Sequence, residues 1–144
     1  IRLSASCVRA GDADSDGDVD MFVGARVRPG RYPEAPPSRL LINEGKGIFR
    51  EENDPAPRSL GMVTDAVWVD FNGDKTSELV TASEFGAVRM FTVNNRKLTE
   101  TKTLPALTGC WNRLLADDLD SDGDVDLVAG NLGLNTQFRA AGNQ

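Results

Sequence analysis

Apolar residues run along this chain in short clusters of two to six, separated by dense polar turns. Cys7-Val8, Val67-Trp68-Val69 and Leu114-Leu115-Ala116 each precede an acidic segment. Met21-Phe22-Val23, Leu79-Val80-Thr81 and Leu127-Val128-Ala129 each follow one. Between the acidic segments a second pattern recurs. Arg39–Asn43, a Gly-rich turn and Ile48–Glu51 read as a hairpin, and so do Arg89–Val93, a turn at Asn94-Asn95 and Leu98–Glu100. Short apolar runs bounded by Asn and Gly are strand signals. No stretch keeps a helical period over three turns. The pattern predicts an all-β protein.

The pattern also repeats. Asp12–Asp20, Asp70–Glu78 and Asp118–Asp126 align without gaps, together with the apolar residues that follow them. Each unit reads as strand, acidic loop, strand, and a hairpin of two more strands. The loops start 58 and 48 residues apart. The Pro-rich insert Arg28–Pro37 accounts for the longer spacing, and it should form a surface loop because proline cannot continue a ladder. Four strands per unit of this length predict β-propeller blades, each a four-stranded antiparallel sheet. The expectation is a single repeat region over 1–144, with approximate units 1–60, 61–107 and 108–144. That makes about two and a half blades of a partial propeller.

Charge sharpens this picture. The chain of 144 residues carries a formal net charge of -6, and fourteen of its 22 acidic residues lie in the three loops and their margins. Such density repels itself unless the segment is disordered or cations sit within it. Histidine is absent and there are two cysteines. That excludes His-based general base catalysis and His-ligated zinc, and two cysteines are too few for a structural zinc site. Cys7 and Cys110 are read as buried thiols rather than a bridge. No apolar run is long enough to span a membrane. The chain begins at Ile1, so the lack of a visible leader leaves the compartment open.

The spacing Asp-x-Asp-x-Asp-Gly-x-x-Asp suits calcium, which takes six to eight hard oxygen ligands. Positions one, three and five turn carboxylates inward, and position six bends the chain, which favours glycine. Position seven offers a backbone carbonyl and position nine closes the cage. The expected metal residues are Asp12, Asp14, Asp16, Asp18 and Asp20 in loop one, with Gly17 at the bend. In loop three they are Asp118, Asp120, Asp122, Asp124 and Asp126, with Gly123 at the bend. Loop two keeps oxygens at Asp70, Asn72 and Asp74, but Lys75 stands at the bend and Glu78 at the close. It is expected to bind calcium more weakly or not at all. Solvated acidic turns explain a single loop of this kind but not a threefold recurrence. An EF-hand needs Glu at position twelve, where this chain has Val23 and Ala129. Magnesium is disfavoured because it seldom uses an all-protein cage.

These loops, with Phe22-Val23-Gly24-Ala25 after the first, resemble the FG-GAP/VCBS repeats of integrin-α-like propellers. Gly30–Pro36 and Gly130–Asn135 are similar to stretches of bacterial VCBS-repeat proteins, often secreted or surface-attached. The resemblance implies structural calcium in the loop between the first two strands of each blade. It also implies a non-enzymatic scaffold for adhesion, contacting a protein or carbohydrate at an extracellular, cell-surface or periplasmic location. The alternatives are an accessory, non-catalytic part of an extracellular polysaccharide-degrading enzyme, and a calcium-responsive sensor. Neither nucleic acid nor membrane insertion is expected. Open blade edges imply a longer parent protein or self-association.

The remaining features have plainer readings. Arg26, Arg28, Arg31 and Arg39 could form an anion patch, but a solvated loop partly neutralising the Asp loops is preferred. Trp68, Trp111, Phe71 and Phe91 read as sheet packing. Gly130-x-x-Gly133 lacks the lysine and spacing of a phosphate loop. The paired carboxylates are better explained as metal ligands than as a glycosidase pair.

Overall fold

The computed structural model describes residues 4–52 and 54–133. Among the described residues there are eight strands: β1 (Ala5–Gly11), β2 (Asp20–Ala25), β3 (Arg39–Asn43), β4 (Phe49–Glu51), β5 (Met62–Val69), β6 (Glu78–Asn94), β7 (Lys97–Asp117) and β8 (Asp126–Asn131). A short 3-10 turn, Ala56–Ser59, links the first four strands to the rest. Strands β1-β2-β3-β4 form one antiparallel sheet and β5-β6-β7-β8 a second. This is the expected all-β architecture of a partial propeller.

Both predicted hairpins form. Leu41, Ile42 and Asn43 pair with Glu51, Arg50 and Phe49. Phe91, Thr92 and Val93 pair with Glu100, Thr99 and Leu98. The second turn falls at Asn95-Arg96, one residue later than the sequence suggested. Both residues have positive φ, 50° and 62°, as a two-residue hairpin turn matched to strand twist requires.

The two longest strands are composite. β6 reverses at Phe85, where φ is 60°. A Cβ on Gly86 would lie 2.9 Å from Ser83 Cβ, and Glu78, Met90 and Thr92 border one hollow. β7 changes partner along its length: residues from Lys97 to Leu104, and again Gly109 and Cys110, pair with β6, and those from Trp111 to Asp117 pair with β8. The Pro-rich segment between β2 and β3 is irregular, as expected.

Strand alternation sorts the side chains between two cores. Cys7, Phe22, Leu40 and Ile42 point from the first sheet into a cluster with Val63, Ala66, Leu79 and Phe91 of the second. The alternate residues of β5 and β6, Val67, Val80, Ala82 and Val88, point the other way. They join Trp111, Leu114, Leu127 and Ala129. Phe22, Leu40, Ile42, Leu79 and Phe91 are all buried, and each contributes roughly 1.5–3 kcal/mol of hydrophobic stabilisation. Phe71, expected among the packing residues, instead sits exposed in loop two.

Candidate metal centre

Each acidic loop joins a first strand to a second: β1 to β2, β5 to β6, and β7 to β8. The three share one backbone. Position four is left-handed in all of them (Ser15 62°, Gly73 76°, Ser121 64°), and so is position six (Gly17 92°, Lys75 70°, Gly123 96°). The sequence reading assigned a special bend only to position six. Lys75 does not abolish that bend; it adopts it, while loop two places its glycine at position four.

One hydrogen-bond scheme holds the loops. The first carboxylate accepts amides from positions five and six: Asp12 from Asp16 and Gly17 at 3.2 and 3.1 Å, and Asp118 from Asp122 and Gly123 at 3.2 and 3.0 Å. Asp70 accepts from Asp74 and Lys75 at 3.1 and 2.8 Å. Position five accepts the amide of position seven in every loop: Asp16 from Asp18, Asp74 from Thr76, and Asp122 from Asp124. The ninth residue accepts the amide of the second: Asp20 from Ala13, Glu78 from Phe71, and Asp126 from Leu119.

Within this frame, Asp12, Asp14 and Asp20 each bring one carboxylate oxygen within 4.8 Å of the others, and Asp118, Asp120 and Asp126 do the same. Asp16 and Asp122 lie outside these groupings, with an oxygen engaged by the amide two residues on. Asp18 and Asp124, expected to act through their carbonyls, have exposed side chains. Loop two is arranged differently. Asn72 Nδ2 donates to Glu78 Oε1 at 3.1 Å and Asn72 Oδ1 accepts from the Asp74 amide at 2.8 Å. The longer Glu78 arm therefore closes loop two on itself through hydrogen bonds.

The donor set of loop one fits a hard divalent cation. Asp14 Oδ1 is buried and has no hydrogen-bond partner, an arrangement that is costly without a counter-charge. Burial, then the neighbouring Asp16 and Asp20 charges, push the Asp14 carboxyl above its ordinary pKa, against the pull of Arg96. Arg96 stands at the tip of the β6–β7 hairpin and donates from Nε to Asp14 Oδ2 at 3.1 Å. Its guanidinium also lies 3.7 Å from Glu44 and 3.8 Å from Glu52. A hairpin of the second sheet thus covers the loop of the first, whereas the three acids of loop three are exposed.

A family model described as an FG-GAP-like repeat matches residues 12–81 and again 70–129. The chain belongs to the FG-GAP-like repeat family. No curated protein matches it. Each FG-GAP-like match starts at the first acid of one loop and ends in the strand after the next, so all three loops lie within the matched residues. The first sheet is accordingly one blade of a partial propeller, β5, β6 and the first part of β7 are a second, and the rest of β7 with β8 begins a third.

Other side chains matter to these FG-GAP-like blades and were not singled out in the sequence. Asp65, 1% exposed, pairs with Arg9 of β1 and accepts the Leu114 amide of β7 at 3.0 Å. It ties three strands together. A lone acid inside the apolar run Met62–Val69 was the available signal. The four arginines near the Pro-rich loop are ion-paired: Arg26 with Glu84, Arg28 and Arg31 with Glu34, and Arg39 with Glu51. They neutralise glutamates rather than the Asp loops. Both cysteines are free; Cys7 is buried, while Cys110 is only partly so. Of the Gly130–Asn135 stretch, the last two residues lie outside the described residues. Among the described residues, no helix is long and apolar enough to cross a membrane.

Proposed function

We propose that this FG-GAP-like chain is a calcium-binding scaffold module, with structural calcium in loops one and three and a protein or carbohydrate ligand outside the cell. The observation that carries the reading is the buried, unpartnered Asp14 Oδ1 within the Asp12, Asp14 and Asp20 cluster. When bound, calcium supplies the positive charge that offsets the mutual repulsion of these carboxylates. Asp12, Asp14 and Asp20 hold it in loop one, and Asp118, Asp120 and Asp126 in loop three. Asp16, Asp18, Asp122 and Asp124 complete the loops, Asp18 and Asp124 through their carbonyls. In loop two, Asp70, Asn72, Asp74 and Glu78 form a site that binds more weakly or not at all, because Asn72 brings no charge and turns its Nδ2 onto Glu78, and Lys75 adds a positive charge to the loop. The loop acids serve as ligands and not as catalytic groups. Extracellular, cell-surface or periplasmic calcium is abundant enough to fill sites of modest affinity.

Thermal unfolding tests the reading. Calcium at a hundredfold excess over Kd adds about 2.7 kcal/mol per site, which raises Tm by roughly 5–10 °C for a chain of this size. A chelator should reverse the shift, and magnesium should reproduce little of it. An identical Tm in calcium and chelator would refute the proposal.

A further inference from the structure

The third residue of each acidic loop is held in one of two ways. In loops two and three it accepts the amide two residues on: Asn72 Oδ1 from Asp74 at 2.8 Å, and Asp120 Oδ1 from Asp122 at 3.2 Å. In loop one this bond is not made. Asp14 Oδ1 has no partner, and Asp14 Oδ2 accepts from Arg96 Nε at 3.1 Å. The donor lies 82 residues away, at the turn between β6 and β7. A side chain of the second blade thus takes the place of a bond internal to the loop.

The turn that carries Arg96 is fixed at its root and at its tip. At the root, the Leu98 amide donates to Oδ2 of the buried Asp54 at 2.7 Å. At the tip, the Arg96 guanidinium lies 3.7 Å from Glu44 and 3.8 Å from Glu52, and Glu44 also pairs with Arg50 at 2.9 Å. Two guanidiniums therefore face two glutamates beside the loop, and the charge of Arg96 is largely offset locally. What Arg96 gives Asp14 is chiefly a directed hydrogen bond.

Resting on the calcium proposed for loop one, we infer that Arg96 is a positioning residue for that ion. By holding Asp14 Oδ2 from the second blade, it leaves Oδ1 free for a cation shared with Asp12 and Asp20. One oxygen each of Asp12, Asp14 and Asp20 already lies within 4.8 Å of the others. Without the Arg96 bond, Asp14 Oδ1 would be drawn to the Asp16 amide, as Asp120 Oδ1 is to that of Asp122, and would no longer be held for the ion. Hydrogen bonds that orient a ligating carboxylate are worth about 10–100-fold in metal affinity. The same arrangement links two blades. Calcium in loop one and docking of the β6–β7 turn favour each other, because both order one carboxylate.

Calorimetric titration of calcium into the full chain, in two backgrounds, tests this. D118N leaves loop one to report, and D12N leaves loop three. In D118N, Arg96→Ala should weaken calcium binding about tenfold or more. Arg96→Gln should keep the D118N affinity, since glutamine carries Nε2 on Cδ, where arginine carries Nε, but no charge. In D12N, Arg96→Ala should leave the affinity unchanged. An R96A affinity equal to that of D118N alone would overturn the inference and leave the calcium reading standing. So would tighter binding in both R96A and R96Q, the mark of a guanidinium that competes with the ion. Weaker binding at both loops in R96A would overturn it as well, by showing a general loosening of the fold. No uptake by D118N itself would instead refute calcium at loop one, and the role of Arg96 with it.

Discussion

Asp12 and Asp20 stand at opposite ends of one loop and hold it in different ways. Asp12 is partly exposed and accepts two amides from within its own loop. Asp20 is fully buried, and its two oxygens accept the amides of Ala13 and, across the sheet, Asn43 at 2.8 and 2.7 Å. The two should therefore separate on substitution. Asp20→Ala strands two backbone donors and should cost about 2–4 kcal/mol even after chelation, with a further loss in calcium because a proposed ligand goes too. Asp12→Asn keeps an acceptor oxygen and removes charge, so its loss should appear in calcium and largely vanish after chelation. Urea unfolding in both conditions checks the pair; equal losses for D12N in calcium and chelator would contradict the ligand role. The loop acids were legible because their alternate spacing is local. The clamp from Asp20 to Asn43 was not, because it joins residues 23 apart in sequence. The left-handed Ser15 and Ser121 were also hidden, since serine carries no conformational mark comparable to glycine.

Between elements, Asp65 is a buried polar tie. It lies in β5 and engages Arg9 of β1 and the Leu114 amide of β7, so one carboxylate secures the junctions on both sides of β5. Asp65→Ala leaves the Leu114 amide and the Arg9 guanidinium without their partner. The expected loss is roughly 1–3 kcal/mol, the scale for stranding a buried donor, because the half-exposed Arg9 can turn to water. Chemical denaturation checks this, and a loss under 1 kcal/mol would show that Arg9 and Leu114 find other partners. Arg96 makes a comparable but more exposed tie from the β6–β7 turn to loop one. Strand order and both hairpins were readable from the apolar runs and their turns. The composite nature of β6 and β7 was also implied, since the sequence divided each into two strands. What sequence alone withheld were these cross-sheet partners, because Arg9 and Asp65 are 56 residues apart.

At the scale of the whole molecule, repetition made the architecture readable. Three aligned loops fix a common register, and that register predicts which side chains face a neighbouring repeat. It also explains why two loops of similar sequence differ in setting. Loop one lies under Arg96 of the following repeat, while loop three is bare, its acids exposed. Exposure of the third repeat follows from the count of blades in the described residues rather than from its composition. The most direct measurement is isothermal titration of calcium into the metal-free chain and into D12N and D118N. The account predicts two ions for the wild type and one for each variant. No measurable uptake by the wild type, or the same stoichiometry in all three proteins, would contradict it.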